Sequence, residues 1–302
     1  MLSTAELIDM ALIRFCEDAF SDGVGPSTGE TLLAAWVANF PQYRCSDFPY
    51  TLRALRGWRR LRPSAGRHPL PYAVVCGLAA YVAHHVSCSM AVALLLCFDG
   101  YLRPYELLLI RACDVYPPTV EFTHYSIQIC PWQVGRPSKT RIFDDTIRLD
   151  SAGRPEISEL VGILLKLHAK AGKPSDQRLF DFTHSDMAGA FKAGLEWLHL
   201  SQWDFVPYCL RHGGPSADRA DHSRTVEQVQ RRGRWASEKS LRRYEQTGRL
   251  HAVIASLPAP TLYFCRRSQA HVLNLVLFPR GLKRPEVVIH HVPFAAPFPA
   301  GD

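Results

Sequence analysis

The chain has 302 residues and is 47% hydrophobic, enough for one large domain or two modest ones with a real core. Its net charge of +7 and isoelectric point near 9.0 suit a polyanionic partner and exclude a strongly acidic, solvating chain. Nine cysteines are scattered without paired short spacings or a Cys/His metal pattern. This argues against a disulfide framework or a zinc site and predicts a reduced, intracellular protein with no metal or other cofactor. The opening residues show no basic region leading into an apolar core, so no secretory leader is expected.

Residues 1–66 read as a compact helical segment. Ser3-Thr4-Ala5-Glu6 is a capped start, with Leu7, Met10, Ala11, Ile13 and Phe15 as the apolar side of the first helix. Asp22–Pro26 is a loop, and Ser27-Thr28 opens a second helix whose Leu32, Leu33, Trp36, Val37 and Phe40 pack inward. A third helix spans Tyr50–Leu61, with Arg53, Arg56 and Arg60 on one face, and Arg62–Gly66 is a linker.

From Pro69 to Phe98 there is no Asp, Glu, Lys or Arg. The His84–Ser89 interruption leaves two apolar runs, each shorter than the roughly 20 residues of a membrane span. Two buried helices are predicted instead, Pro69–His85 and Met90–Phe98, followed by a helix at Arg103–Arg111. Val120–Tyr125, Ser126–Val134 and Arg141–Leu149 read as three strands from their β-branched and aromatic content. Gly135–Ser138 is a turn signal that places Lys139 on a hairpin. Helices are expected at 156–171, 184–200, 206–220, 226–232 and 237–257. The tail, 258–302, is rich in proline and has β-type runs at Val272–Phe278 and Val287–Val292, read as an extra hairpin or an extension without fixed structure.

Charge is clustered. Residues 53–67 hold six arginines and no acid, and residues 211–249 hold ten Lys/Arg against five Asp/Glu. Among these bases lie three local words: Gly-Tyr-Leu-Arg-Pro-Tyr-Glu-Leu at 100–107, Tyr-Cys-Leu-Arg-His at 208–212, and Gly-Arg-Trp at 233–235, with Trp235 nine residues before Tyr244. Arginines grip a phosphate bidentately with a charge that does not titrate near neutrality. A tyrosine can attack phosphorus and form a covalent intermediate, and a lysine can protonate a departing oxygen. Arg103, Lys139, Arg211, Trp235 and Tyr244 are therefore the candidate catalytic residues.

On these words, their order and their spacing, the chain resembles the tyrosine recombinase (phage integrase) superfamily over about 68–250, in a variant like that of eukaryotic mobile elements. The resemblance implies a mainly α (α+β) fold: a helical DNA-clamping segment at 1–66, then a helical catalytic domain at 67–257 with a small antiparallel three-stranded sheet. It implies site-specific cutting and rejoining of DNA through a 3′-phosphotyrosine on Tyr244, without metal or ATP. Arg103 and Arg211 would hold the scissile phosphate, with Glu106 as the resting partner of Arg103, and Lys139 would protonate the 5′ oxygen. Arg136 and Arg141 remain rivals for the lysine's role. Arg53, Arg56, Arg60 and Arg136 are the expected DNA contacts, and the partners implied are double-stranded DNA and further copies of the chain, two per site and four per complex. A nuclear location is expected in a eukaryotic host.

Tyr208 departs from the family, which usually has histidine there. A phenol can donate to a phosphate oxygen, but its pKa of about 10 makes it a poor proton shuttle at neutral pH. Two alternatives stay open: an inactive DNA-binding descendant of such an enzyme, and a type IB topoisomerase-like enzyme that relaxes single duplexes.

Overall fold

The computed structural model describes residues 3–63, 67–135 and 143–286. The backbone forms two compact units, Met1–Gly66 and Arg67–Asp302.

In the first unit α1 (Thr4–Ser21), α2 (Ser27–Asn39) and α3 (Pro49–Leu61) enclose a small core that includes Leu12, Cys16, Leu33, Phe48, Leu55 and Trp58. A reciprocal Ser3/Glu6 capping box starts α1. The buried face of α1 is not the expected one: Leu7, Met10 and Phe15 are exposed, while Asp9, Leu12, Cys16 and Ala19 are buried. Asp9 explains the rotation. Its carboxylate accepts from the backbone N–H groups of Tyr50 (3.0 Å) and Thr51 (2.9 Å). These are first-turn donors of α3 with no partner inside that helix, at the positive end of its dipole. Turning Asp9 inward brings Leu12 and Cys16 with it at helical spacing. Thr51, Leu55 and Trp58 form the buried side of α3, and Arg53, Arg56 and Arg60 are exposed.

The second unit is built on α4 (Tyr72–His85) and α5 (Cys88–Asp99), buried almost throughout. Apart from Asp99 at the end of α5, their freedom from Asp, Glu, Lys and Arg makes them the centre of a globular core, and no helix among the described residues is long and apolar enough to cross a membrane. Around them pack α7 (Pro155–Lys170), α8 (His184–Trp197) and α9 (Leu210–Ala220). A three-stranded antiparallel sheet runs β1 (Val115–Tyr116), β2 (Ser126–Ile129), β3 (Asp145–Arg148), in that order. Val115 pairs with Ile127 and Ile127 with Ile147, and these side chains point into the core.

Several boundaries differ from expectation. The segment 120–125 is loop; Pro117 and Pro118 cannot donate to a ladder, and Thr119 N–H bonds to the Phe122 carbonyl at 2.8 Å instead. β2 ends at Ile129 because Cys130 has φ +53° and Pro131 lacks a donor, and Trp132–Val134 forms a 3-10 turn. α6 is only Pro104–Leu108; beyond it the Ile110 carbonyl accepts from Leu179 N–H at 2.8 Å and Ala112 N–H donates to Gln177 at 3.1 Å. The expected helix at 206–220 opens with a 3-10 turn at Pro207–Cys209, and α10 is Val226–Gly233. The expected 237–257 helix is broken into α11 (Glu238–Leu241) and α12 (Thr247–Ser256). In the tail α13 (Ala259–Ala270) and α14 (Val272–Leu277) are helices, the second lying where a β-type run was expected at Val272–Phe278. α13 lies on α4, and its buried Thr261 donates to the Leu198 carbonyl at 2.9 Å. Val287–Val292 lies outside the described residues.

Candidate active site

Arg103 stands at the N-terminus of α6, where α5 has ended and Tyr101 turns the chain at φ +49°. Glu106 closes the capping box by accepting the Arg103 backbone N–H at 2.9 Å, and the Arg103 guanidinium bonds to the other carboxylate oxygen. Arg211 lies in the first turn of α9 and is fully buried. α9 reaches that depth because two glycines follow: a Cβ at Gly213 would sit 2.3 Å from the Leu70 carbonyl oxygen, and one at Gly214 2.2 Å from that of Phe98. Arg211 donates to the carbonyls of Tyr101 and, at 2.7 Å, Gly233.

Arg234 is the residue the sequence left unassigned. α10 ends in a Schellman-type cap: Trp235 N–H bonds to Gln230 at 3.1 Å and Arg234 N–H to Arg231 at 3.0 Å. The left-handed cap position, normally glycine, is here Arg234 at φ +56°. Its buried side chain reaches Glu106 at 2.6 Å. Glu106 thus takes three arginines, since Arg211 lies 3.7 Å from the same carboxylate. Three guanidinium charges against one carboxylate leave an excess of positive charge. Arg103 Nε, Arg211 Nε, Arg234 Nε and Trp235 Nε1 are buried and have no hydrogen-bond partner. Buried donors without partners are rare and call for an explanation, a bound anion or water being among those that serve.

Trp235 folds back over the end of α10, its ring centroid 4.7 Å from that of Tyr244 and stacked at 6.2 Å on Tyr101. Only glycine fits at 233, where a Cβ would lie 1.8 Å from the Trp235 ring. Tyr244 is in the turn after α11, not on a helix as expected. Ser216 of α9 holds that turn: it accepts Gln246 N–H at 2.9 Å, and its single hydroxyl proton is shared between the His212 carbonyl at 2.7 Å and the Tyr244 carbonyl at 3.0 Å. The Tyr244 ring also packs on His212, 4.7 Å between centroids, with the Arg211 guanidinium 5.5 Å above it. Its hydroxyl lies 3.2 Å from that of Tyr208.

Electrostatics follow from burial and this clustering. Burial pulls Arg211 down to about 10, with Arg234 adding to it, and leaves it charged at neutral pH. Burial works to raise Glu106, but Arg234, Arg211 and Arg103 outweigh it and hold the carboxylate below its ordinary value. Burial, then Arg67 and Arg211, lower His212 to about 4, so it is a neutral packing group near neutrality. Burial and then Tyr244 raise Tyr208.

Below the site, Arg154, Arg224 and Arg232 pair with Asp99, Asp150 and Asp218. The Tyr101 hydroxyl bonds to Asp218, so the residue whose carbonyl receives Arg211 is itself fixed.

The structure therefore brings Arg103, Tyr208, Arg211, Trp235 and Tyr244 together. Arg53, Arg56 and Arg60 belong to the other unit. Lys139, Arg136 and Arg141 lie outside the described residues. Glu106 was legible in the sequence as a partner of Arg103; its bond to Arg234 was not, and the only signal was a non-glycine residue at a helix end.

No protein-family model matches the chain, and no curated protein matches it by sequence. Among solved structures it is similar to the XerH site-specific recombinase bound to difH substrate in a pre-cleavage complex, at 14% identity and TM-score 0.50, over 82% of this chain and 70% of that one. It is also similar to XerH on palindromic difH in a post-cleavage complex, at 12% identity and TM-score 0.53, over 81% and 71%. The fold is that of site-specific recombinases: mainly α, with a small antiparallel sheet.

Proposed function

We propose that the chain is a tyrosine recombinase that cuts and rejoins DNA at specific sites. One observation carries this: Tyr244, placed by Ser216 and Trp235, stands beside Arg211 in a pocket where three arginines share one carboxylate and keep unpartnered N–H groups. A phosphodiester supplies the acceptors those groups lack. Arg103 and Arg211 hold its non-bridging oxygens and stabilise the charge that develops in the pentavalent transition state. Trp235 contributes an indole N–H donor. Tyr244 attacks in line and forms a 3′-phosphotyrosine while Lys139 protonates the departing 5′ oxygen. A 5′-hydroxyl from a second strand then reverses the step, so the ester conserves the bond energy and ATP is not needed.

The exposed Arg53, Arg56 and Arg60 of α3, with Arg136, grip the DNA backbone, two chains to a site and four to a complex. XerH is bound to its difH substrate in its own complexes, and double-stranded DNA is the partner proposed for this chain. The Gly-Arg-Trp word favours an element-encoded enzyme of eukaryotic type, working in the nucleus. A second reading, an inactive DNA-binding descendant, is favoured by Tyr208 in the usual histidine position.

Incubation with nicked suicide duplexes separates the two. A covalent protein–DNA adduct that forms in wild type and is lost in Tyr244→Phe, with affinity unchanged, establishes the recombinase. Tight binding without any adduct on every duplex bound establishes the descendant.

A further inference from the structure

Two contacts have no part in holding the phosphate as described. The hydroxyls of Tyr208 and Tyr244 are 3.2 Å apart, and the Arg67 guanidinium lies 4.7 Å over the Tyr208 ring. Arg67 is exposed at the start of the second unit. The sequence counts it only as one of a run of arginines. We propose that Arg67, Tyr208 and Tyr244 form a chain that prepares the nucleophile, in which Arg67 holds and polarises Tyr208 and the Tyr208 hydroxyl donates to the Tyr244 oxygen. This rests on reading Tyr244 as the nucleophile. It makes Arg67 a positioning residue and turns Tyr208 from a phosphate ligand into a partner of the attacking oxygen.

The direction of the bond follows from the surroundings. Tyr208 is half-buried, and burial followed by Tyr244 makes its own ionisation harder, so in the pair Tyr208 keeps its proton. A cation over an aromatic face is attracted to it and draws electron density from the ring, making the phenol a better donor. Tyr244 faces mostly positive charge. Arg103 acts on it from the start of α6, and Arg211 of α9 lies over its ring. His212, also on α9, is neutral near pH 7 because burial, Arg67 and Arg211 hold it to about 4. Arg243 adjoins it in the chain and meets His212 through its backbone, and Arg249 of α12 also acts on His212. Glu106 is engaged by three arginines, and Glu245 is paired with Arg219 at 3.2 Å. A hydrogen bond donated to an oxygen in this field stabilises its anionic form.

In the step itself the Tyr244 proton passes to solvent, and the oxygen's electron pair forms the new bond to phosphorus. The pair of the broken P–O5′ bond leaves with the 5′ oxygen, which then takes a proton. Tyr208 donates a hydrogen bond throughout and transfers no proton.

The test is single-turnover cleavage of a suicide duplex from mildly acidic to alkaline pH. Arg67→Gln and Tyr208→Phe are each expected to be roughly tenfold slower at neutral pH, the size of one hydrogen bond to a charged group. The deficit should close as pH rises, and Arg67→Lys, which keeps the cation, should recover most of the rate. A loss that is constant with pH, or no loss, overturns the proposal while Tyr244→Phe still tests the nucleophile separately. Carbon-13 NMR of ring-labelled tyrosine in the free protein needs no activity. With the Tyr244 signal assigned through Tyr244→Phe, its titration should move upward in both variants. An unmoved titration refutes the chain even if wild type cleaves nothing, and equal melting temperatures exclude misfolding as the cause.

Discussion

Gly233→Ala is the most searching single-methyl perturbation of this site. The added Cβ would lie 1.8 Å from Trp235 Cζ3, with Cε3 and Cη2 at 2.2 and 2.3 Å. Ordinary carbon–carbon contact is near 3.5 Å, so about 1.7 Å must be found by moving the tryptophan. The ring cannot slide freely, because Tyr101 stacks on it and Tyr244 packs against it. The Gly233 carbonyl also receives Arg211, so the same methyl disturbs the proposed nucleophile and a proposed phosphate-binding arginine together. Overpacking of this kind costs about 1–3 kcal/mol, or about 2–4 °C of melting temperature per kcal/mol in a unit of this size. A misplacement of about 1 Å in reacting groups costs about 100-fold in rate. Calorimetry should therefore show a drop of a few degrees, and suicide-duplex kinetics a fall of about two orders of magnitude, with DNA affinity unchanged. Adding Trp235→Ala relieves the clash but removes a buried ring, a loss of about 3–5 kcal/mol, so it should restore neither the stability nor the rate. Cleavage at the wild-type rate in Gly233→Ala would refute the claim that Trp235 positions Tyr244.

Three further outcomes are expected. Arg234→Gly relaxes a left-handed backbone, a gain of about 1 kcal/mol, but removes the 2.6 Å bond to buried Glu106; urea unfolding should show net destabilisation, since losing one partner of a buried pair costs about 3–5 kcal/mol. Replacing Arg53, Arg56 and Arg60 by alanine should reduce the slope of log affinity against log salt by about 3 while leaving the adduct rate of bound complexes intact, measured by titration at several salt concentrations. Acid should unfold the second unit early. The carboxylates of Glu106 and Asp99 are held below their ordinary values by their arginines, against burial. Their stabilisation is complete above their ordinary values, 4.5 for Glu106 and 3.8 for Asp99, and is lost as pH falls through the lower folded values. Melting temperature followed from pH 7 downward should hold to about 4.5 and then fall, and Glu106→Gln should flatten that fall.

Much of the site was legible because its residues sit in short words at fixed separations. Arg103 and Arg211 each follow a leucine near a helix start, and Trp235 precedes Tyr244 by nine residues. What stayed hidden depends on side chains meeting across the fold. Periodicity carries α11 through Tyr244 into α12, but Ser216 captures the Tyr244 carbonyl and the Gln246 N–H and forces a turn. Nothing near Asp9 reveals that it caps α3, so the exposed Leu7, Met10 and Phe15 looked like the better core face. Val272–Phe278 is rich in valine, leucine and phenylalanine, which suits a strand as well as a buried helix; contact with α4 and α5 decides for α14. The linear order of Pro117, Pro118, Cys130 and Pro131 already held the reason for short strands, yet β-branched content outweighed it in the reading.

The Ser216 hydroxyl has a consequence beyond geometry. It fastens the tyrosine's turn to the helix that delivers Arg211 in the same polypeptide. In the proposed recombinase the attacking group and its arginines would therefore come from one chain. A mixture of Tyr244→Phe chains and Arg211→Ala chains should be as silent as either alone, because no pairing of the two rebuilds a whole site. Were such chains to assemble on DNA as proposed, assembly could set when each one acts, but not which one owns the tyrosine.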